Sequence, residues 1–209
     1  PFSKKYYKQD FFVSSNNFSA YKLIESWPTW PGKWLNIFGD PGSGKTHLAK
    51  ILEKKIDKLK LVGAKNINSK TVQDLNNLDC LIIDSFKNNI EEKLLYSILN
   101  QSKQLDNYVL MNSISSIKNI NFKLNDLVSR INSFLYIGIE LPTDDLLKVI
   151  ISKTLSDKQI RINPKISDYI INNVERSYEK MFKFLKDVDE LSLSTGKSIN
   201  INLIKKILK

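Results

Sequence analysis

The chain has 209 residues, 42% of them hydrophobic, enough to bury a full α/β core with room for a small second domain, and no apolar run approaches the ~18 residues of a membrane span. One cysteine, Cys80, sits inside an apolar run, which excludes an internal disulfide and a cysteine-based metal cluster and marks it as a core residue. The net charge of +10 raises nucleic acid as a partner, but only three of the 32 basic residues are arginine, and lysines spread over every segment describe a solvated surface rather than a phosphate groove.

Lys, Ile and Asn fill 76 of the 209 positions, the bias of an AT-rich coding sequence. No basic-then-apolar leader precedes the first motif, so the expected location is soluble and cytoplasmic, with no membrane partner. The chain begins at Pro1 rather than Met.

Residues 1 to 20 are polar and aromatic without clear periodicity. A short helix is expected from Tyr21 to Trp27, stopped by "WPTWP", where two prolines remove donors and bias their predecessors away from helix. "KWLNIFG" reads as a buried strand, and "GDPGSGKTHLAKILEKKI" as a Gly-rich turn opening into a helix with Leu48, Ile51, Leu52 and Ile56 at helical spacing. Residues 58 to 78 allow an edge strand and a short helix. "CLIID" is the next strand, and "EEKLLYSILNQSKQ" a helix with Leu94, Leu95, Ile98 and Leu99 on one face. "NYVLMNS" and "FLYIGIE" are further strands, separated by a helical "NDLVSRI".

Strand and helix thus alternate up to about Leu141, the signature of a parallel sheet covered on both faces. After it the strands stop. Pro142 suits a helix start, acids fill the first turn, and helices are expected over about 142 to 156, 164 to 175, 178 to 193 and 200 to 208. The expected fold class is α/β: a P-loop domain over residues 1 to 141, followed by a small all-helical lid over residues 142 to 209.

Gly39-Asp40-Pro41-Gly42-Ser43-Gly44-Lys45-Thr46 fits G-x-x-x-x-G-K-[ST] at every fixed position, with a strand before it and a helix after. The glycines let consecutive backbone N–H groups face a polyphosphate, and the helix beginning near Lys45 adds its positive end. Lys45 would neutralise the β and γ phosphates and Thr46 would bind Mg²⁺, with Asp84 at the end of "CLIID" as the metal-side carboxylate. His47, the single histidine, follows on the first helical turn among the nucleotide-binding residues, a place that packing or helix-start chemistry explains better than catalysis. Asp84 is followed by Ser85, where nucleotide hydrolases of this class usually carry a second acid for water.

"DFFVSSNNFSAYKLIESWPTWP", "GDPGSGKTHLAKI", "LVSRINSFL" and "IELPTDDLLKVII", in this order, resemble the AAA+ domain of the DnaA family, and within it the DnaA-related regulators of the Hda type. The resemblance covers nearly the whole chain. DnaA carries a DNA-binding helix-turn-helix after its lid, and this sequence stops at "INLIKKILK", which favours the regulator over the initiator. What the resemblance implies is a protein that binds ADP or ATP, joins the sliding clamp on DNA and stimulates ATP hydrolysis by DnaA, turning initiation off. DNA is then met through the clamp, and a homodimer is left open. The alternative is an independent AAA+ ATPase that remodels DNA or loads a helicase.

The resemblance also implies site residues. "FVSSNN" lies near the base, so Val13 and Asn17 are candidate adenine contacts, although Phe12 and Val13 could equally pack the start of the domain. Asn112, or Ser113 beside it, falls at the polar sensor I position. Lys180 in "RSYEKMF" stands where DnaA has the sensor II arginine, keeping the charge but not the planar fork. Arg130, after Ser129, matches the arginine that reaches a neighbour's γ-phosphate, and a helical salt bridge to Asp126 is its competing role. "PF" at residues 1 and 2 could be the tail of a short apolar clamp-binding segment. With Ser85 in place of an acid and the sensor altered, nucleotide turnover is expected to be slow.

Overall fold

A computed structural model describes residues 11–157, 160, 162–196 and 198–208; the clamp-binding tail expected at residues 1 and 2 lies outside them. Helix α1 (Phe18–Glu25) is followed by β1 (Trp34–Phe38), α2 (Lys45–Glu53), β2 (Leu59–Gly63), α3 (Ser69–Asp74) and β3 (Cys80–Phe86). Then come α4 (Glu92–Gln104), β4 (Tyr108–Ser113), α5 (Asn125–Ile131) and β5 (Leu135–Gly138). The remaining helices are α6 (Asp144–Ser156), α7 (Pro164–Asn173), α8 (Tyr178–Thr195) and α9 (Ile201–Ile207). Among the described residues no helix is long and apolar enough to cross a membrane.

The five strands form one sheet in the order β2-β3-β4-β1-β5, with every neighbouring pair parallel. A parallel sheet is covered on both faces, so its inner strands are mostly apolar and the period of two sorts their side chains to opposite sides. Leu81, Ile83, Val109 and Met111 meet Leu95, Ile98 and Leu99 of α4 and Leu127 of α5. Cys80, Ile82, Leu110, Leu35 and Ile37 go the other way, to Leu48 and Leu52 of α2 and Ile24 of α1. Burial pushes the Cys80 thiol well above its ordinary range, so it acts as an inert apolar filler. Each such fully buried aliphatic side chain contributes roughly 1.5 to 3 kcal/mol.

Buried polar side chains interrupt this apolar core, Asn36 of β1 and Asn112 of β4 among them. Asn36, fully buried on β1, donates through Nδ2 to the Met111 carbonyl and to Ser113 Oγ, both at 2.9 Å, and accepts from Ile117 N at 3.1 Å. A buried amide left unsatisfied costs about 1 to 3 kcal/mol, so this bonding pins the end of β4 and the turn after it. At the opposite end of the sheet, Trp27 and Trp30 pack edge-on against Tyr108, whose hydroxyl donates to the Pro28 carbonyl at 2.9 Å.

The helical segment has its own core: Leu147, Ile151 and Leu155 of α6, Ile170 of α7, Met181, Leu185 and Val188 of α8, and Leu203 and Ile204 of α9. Each of these helices starts on a side-chain cap, from Thr143, Asn163, Ser177 and Asn200 in turn. By contacts the chain divides into two compact units, one running to Gly39 and resuming over Gly44–Ile139, the other joining Asp40–Ser43 to the chain from Glu140 onward.

Several expected boundaries move. Helix α1 begins at Phe18, earlier than Tyr21, and stops before the prolines. Helix α2 ends at Glu53, so Ile56 packs in the same core from beyond the helix. Pro142 precedes the cap rather than starting α6, because the Thr143 side chain accepts from Leu146 N at 3.3 Å and sets the first helical residue at Asp144.

Candidate nucleotide site

Strand β1 delivers the chain into the phosphate loop, and the loop runs directly into α2. Gly39 N donates to the Ile114 carbonyl at 3.0 Å, which anchors the loop's start to the end of β4. Gly39, Gly42 and Gly44 have φ of 155°, 84° and 97°, all in the region that L side chains avoid, so the loop's path requires these glycines. Pro41 and Gly42 are exposed, Asp40 is half-buried and Ser43 is buried, its N–H donating to the Asp40 carbonyl at 3.2 Å.

Lys45 and Thr46 occupy the first turn of α2. Lys45 Nζ donates to the Gly39 carbonyl at 2.6 Å, folding the ammonium back over the loop. Thr46 Oγ1 donates to Asp84 Oδ2 at 2.9 Å. Asn112, fully buried on β4, donates through Nδ2 to Asp84 Oδ1 at 2.9 Å and to the Lys45 carbonyl at 3.1 Å. Asp84 therefore receives one hydrogen bond on each oxygen, from the helix on one side and the neighbouring strand on the other. Asn112 Oδ1 is buried without a partner.

Of the two polar residues closing β4, Asn112 meets Asp84, while Ser113 Oγ accepts from Asn36 and donates to the Ser115 carbonyl at 2.7 Å. Alternation along the strand separates them.

Strand β3 continues past Asp84 to Phe86. The register against β4 shifts between Ile83 and Phe86, and Ser85 within this irregularity has φ of 60°. A bulged residue in the left-handed region is turned out of the ladder, and Ser85 is exposed to solvent. The position after Asp84 thus carries a hydroxyl on a left-handed, bulged backbone. A glutamate placed there meets a conformation costing roughly 1 to 2 kcal/mol.

The residues expected near the base have structural bonds. Asn17 is buried; its Nδ2 donates to the Phe12 carbonyl at 2.9 Å and its Oδ1 accepts from Ser14 N at 3.0 Å, closing the loop 12–17. Val13 packs on the core that α1 and α2 share. His47 meets the Phe11 ring edge-on at 5.3 Å.

Arg130, at the end of α5, does not pair with Asp126. Its guanidinium donates to Asn100 Oδ1 on α4 at 3.0 Å and lies 6.0 Å from the centre of the Tyr96 ring, while its Nε is buried without an acceptor. The helix-period argument for Asp126 fails because α4 and α5 pack together and α4 offers a nearer acceptor. Lys180, on the first turn of α8, is more than half exposed, with Glu175 at 3.8 Å.

Of the expected site residues, the structure joins Lys45, Thr46, Asp84 and Asn112 by hydrogen bonds. Sequence reasoning did not name Asn100, which carries no local signal and lies 30 positions from Arg130, or the turn at Ser85. Among the described residues no cluster of three or more His, Cys, Asp and Glu side chains could hold a metal. A hydroxyl and a carboxylate side by side nevertheless fit a small hard cation that takes one or two protein oxygens and completes its shell with phosphate and water.

A five-stranded parallel sheet, a phosphate loop opening a helix, a carboxylate on β3 before its bulge and an asparagine near the end of β4 define a P-loop nucleotide-binding domain of the AAA+ type. Comparison with known proteins narrows this. The family model described as Hda, lid domain matches residues 144–208, and one described as RNA helicase matches residues 35–129, which include the phosphate loop. The chromosomal replication initiator protein DnaA of Borrelia garinii is 26% identical over 246 residues, covering 100% of this chain and 49% of the relative. The chain spans about half the length of the curated relatives it matches.

Among solved structures, domain III of Thermotoga maritima DnaA superposes with a TM-score of 0.81 at 17% identity, covering 100% of this chain and 97% of that one. The AMPPCP-bound DnaA from Aquifex aeolicus gives 0.69 at 17% identity, covering 87% and 64%. The chain thus has the fold of DnaA domain III, and its residues 144–208 match the Hda lid model.

Proposed function

We propose that this chain, with an AAA+ domain over residues 1–141 and a lid over 142–209, is a nucleotide-binding regulator of replication initiation. It binds ADP or ATP with Mg²⁺ and, with the sliding clamp on DNA, stimulates ATP hydrolysis by DnaA in the cytoplasm. The observation that carries this reading is the contrast within β3: Asp84 is fastened to Thr46 and Asn112, whereas Ser85 beside it is a hydroxyl turned to solvent at φ 60°.

In this reading the glycine loop and Lys45 hold the polyphosphate, Thr46 and Asp84 hold the cation, and Asn112 fixes Asp84. Mg²⁺, when bound, supplies charge neutralisation between phosphate oxygens. A serine near neutral pH does not act as a base, so nothing on β3 prepares a water and the nucleotide serves as a conformational ligand. Lys180 carries the charge assigned to the sensor position, and Arg130 acts on the nucleotide of a neighbouring DnaA.

The test takes the isolated chain and follows ADP binding and ATP turnover in parallel. Tight ADP binding with slow turnover is expected, together with faster hydrolysis by DnaA from the same organism when clamp-loaded DNA is added. Ser85→Glu should leave turnover slow, because the backbone at this position aims the side chain into solvent. Robust turnover by the wild-type chain alone would instead support an independent ATPase.

A further inference from the structure

Phe11 is assigned no role by the sequence motifs, yet the residue is only 9% exposed. A Cβ on Gly44 would stand 2.7 Å from Phe11 Cε2, closer than carbon atoms approach, so this ring as well as the φ of 97° requires glycine there. The same ring meets His47 edge-on, centroids 5.3 Å apart at 79°, and stacks on Tyr21 of α1 at 5.7 Å and 8°. Gly44 and His47 flank Lys45 and Thr46, so Phe11 braces both ends of the turn that carries the lysine and the hydroxyl. The ring is itself fixed, because the Asn17 side chain ties the loop that follows it to the Phe12 carbonyl and to Ser14 N.

We propose that Phe11 is a positioning residue for polyphosphate: its ring holds the Gly44 turn in the conformation that presents the first N–H groups of α2, and so couples the segment 11–17 to phosphate affinity. A glycine at this φ has wide backbone freedom, and anion binding by backbone N–H groups depends on their converging before the ligand arrives. Removing the ring returns that freedom to the loop, and binding must then restrict it. The segment bearing Val13 and Asn17 thereby influences phosphate binding even for a ligand without a base. The inference rests on the nucleotide-binding reading above.

The experiment is calorimetric titration of the full chain with inorganic tripolyphosphate in Mg²⁺, and separately with ADP, for wild type, Phe11→Leu and Phe11→Met. Both replacements are apolar and keep much of the buried volume, and circular dichroism gives the folded fraction of each. Tripolyphosphate affinity is expected to fall at least tenfold in the folded variants. Unchanged tripolyphosphate affinity in both overturns the proposal, even when ADP affinity drops, since that confines the ring to the base side or to packing. A wild-type chain that binds neither ligand removes the nucleotide-binding reading itself. Should both Phe11 variants unfold, Tyr21→Leu strips the stack that backs the ring: a threefold or larger loss of tripolyphosphate affinity supports the proposal, and no loss overturns it.

Discussion

At the ends of β3 and β4, Asp84 and Asn112 are tied to each other and to the first turn of α2, while Lys180 on α8 is more than half exposed with a single carboxylate at 3.8 Å. All are polar residues chosen from motif positions, but the sheet places the first group where solvent is partly excluded and hydrogen bonds strengthen one another. The helix surface gives Lys180 the screening and rotamer freedom of an ordinary surface charge. Arg130 stands between these cases: half-buried, held by the neutral partners Asn100 and Tyr96, with its charge not cancelled by a carboxylate.

That comparison ranks the substitutions. The largest effect is expected at Arg130, because a finger acting on a neighbour's phosphate is typically worth 10³ to 10⁵ in rate, while its hydrogen bond to Asn100 contributes only about 1.5 to 3 kcal/mol to stability. Arg130→Ala should abolish stimulation of DnaA's ATPase and leave ADP binding intact, measured by phosphate release with clamp and DNA present; full stimulation by the variant would show that this arginine is not the finger. Next, Lys45→Ala should weaken ADP binding at least tenfold, about 1.4 kcal/mol, in a calorimetric titration. Equal affinity for mutant and wild type would remove the phosphate site.

A change read in stability, of comparable size, tests the tied group as structure. Asn112→Ala strips the donor from Asp84 Oδ1 and from the Lys45 carbonyl, and urea denaturation should register a loss of about 1 to 3 kcal/mol. A loss within error would mean that water replaces the amide freely and that the site is less sealed than its burial implies. The smallest effect belongs to Lys180→Ala, expected to move stability by less than about 1 kcal/mol. If unfolding curves put its cost level with that of Asn112→Ala, the contrast drawn between the two regions is wrong.

Much of the fold was legible because its signals are local. The apolar runs at Trp34–Phe38, Cys80–Ile83 and Tyr108–Met111 and the helical spacing of Leu48, Ile51 and Leu52 are each decided within a few residues of chain, whereas the cap at Thr143 was not read in place of Pro142. Periodicity could not say where α1 begins, since Phe18 to Glu25 is held by burying Ala20 and Ile24 against a core assembled from distant segments.

The sequence by itself determined the phosphate loop, the carboxylate that faces it and the order of strands and helices, because glycine freedom, hydrophobic period and capping act between near neighbours. The tertiary structure alone decided that Asn112 rather than Ser113 meets Asp84, that Arg130 turns to Asn100 instead of Asp126, and that Phe11 closes on Gly44. These pairs lie 28 to 33 positions apart, and only the packing of parallel strands and their covering helices brings them within hydrogen-bond or van der Waals distance. Ser85 is the sharpest case: its letter was readable as a missing acid, but its left-handed backbone is imposed by the register shift between β3 and β4, which no local pattern encodes.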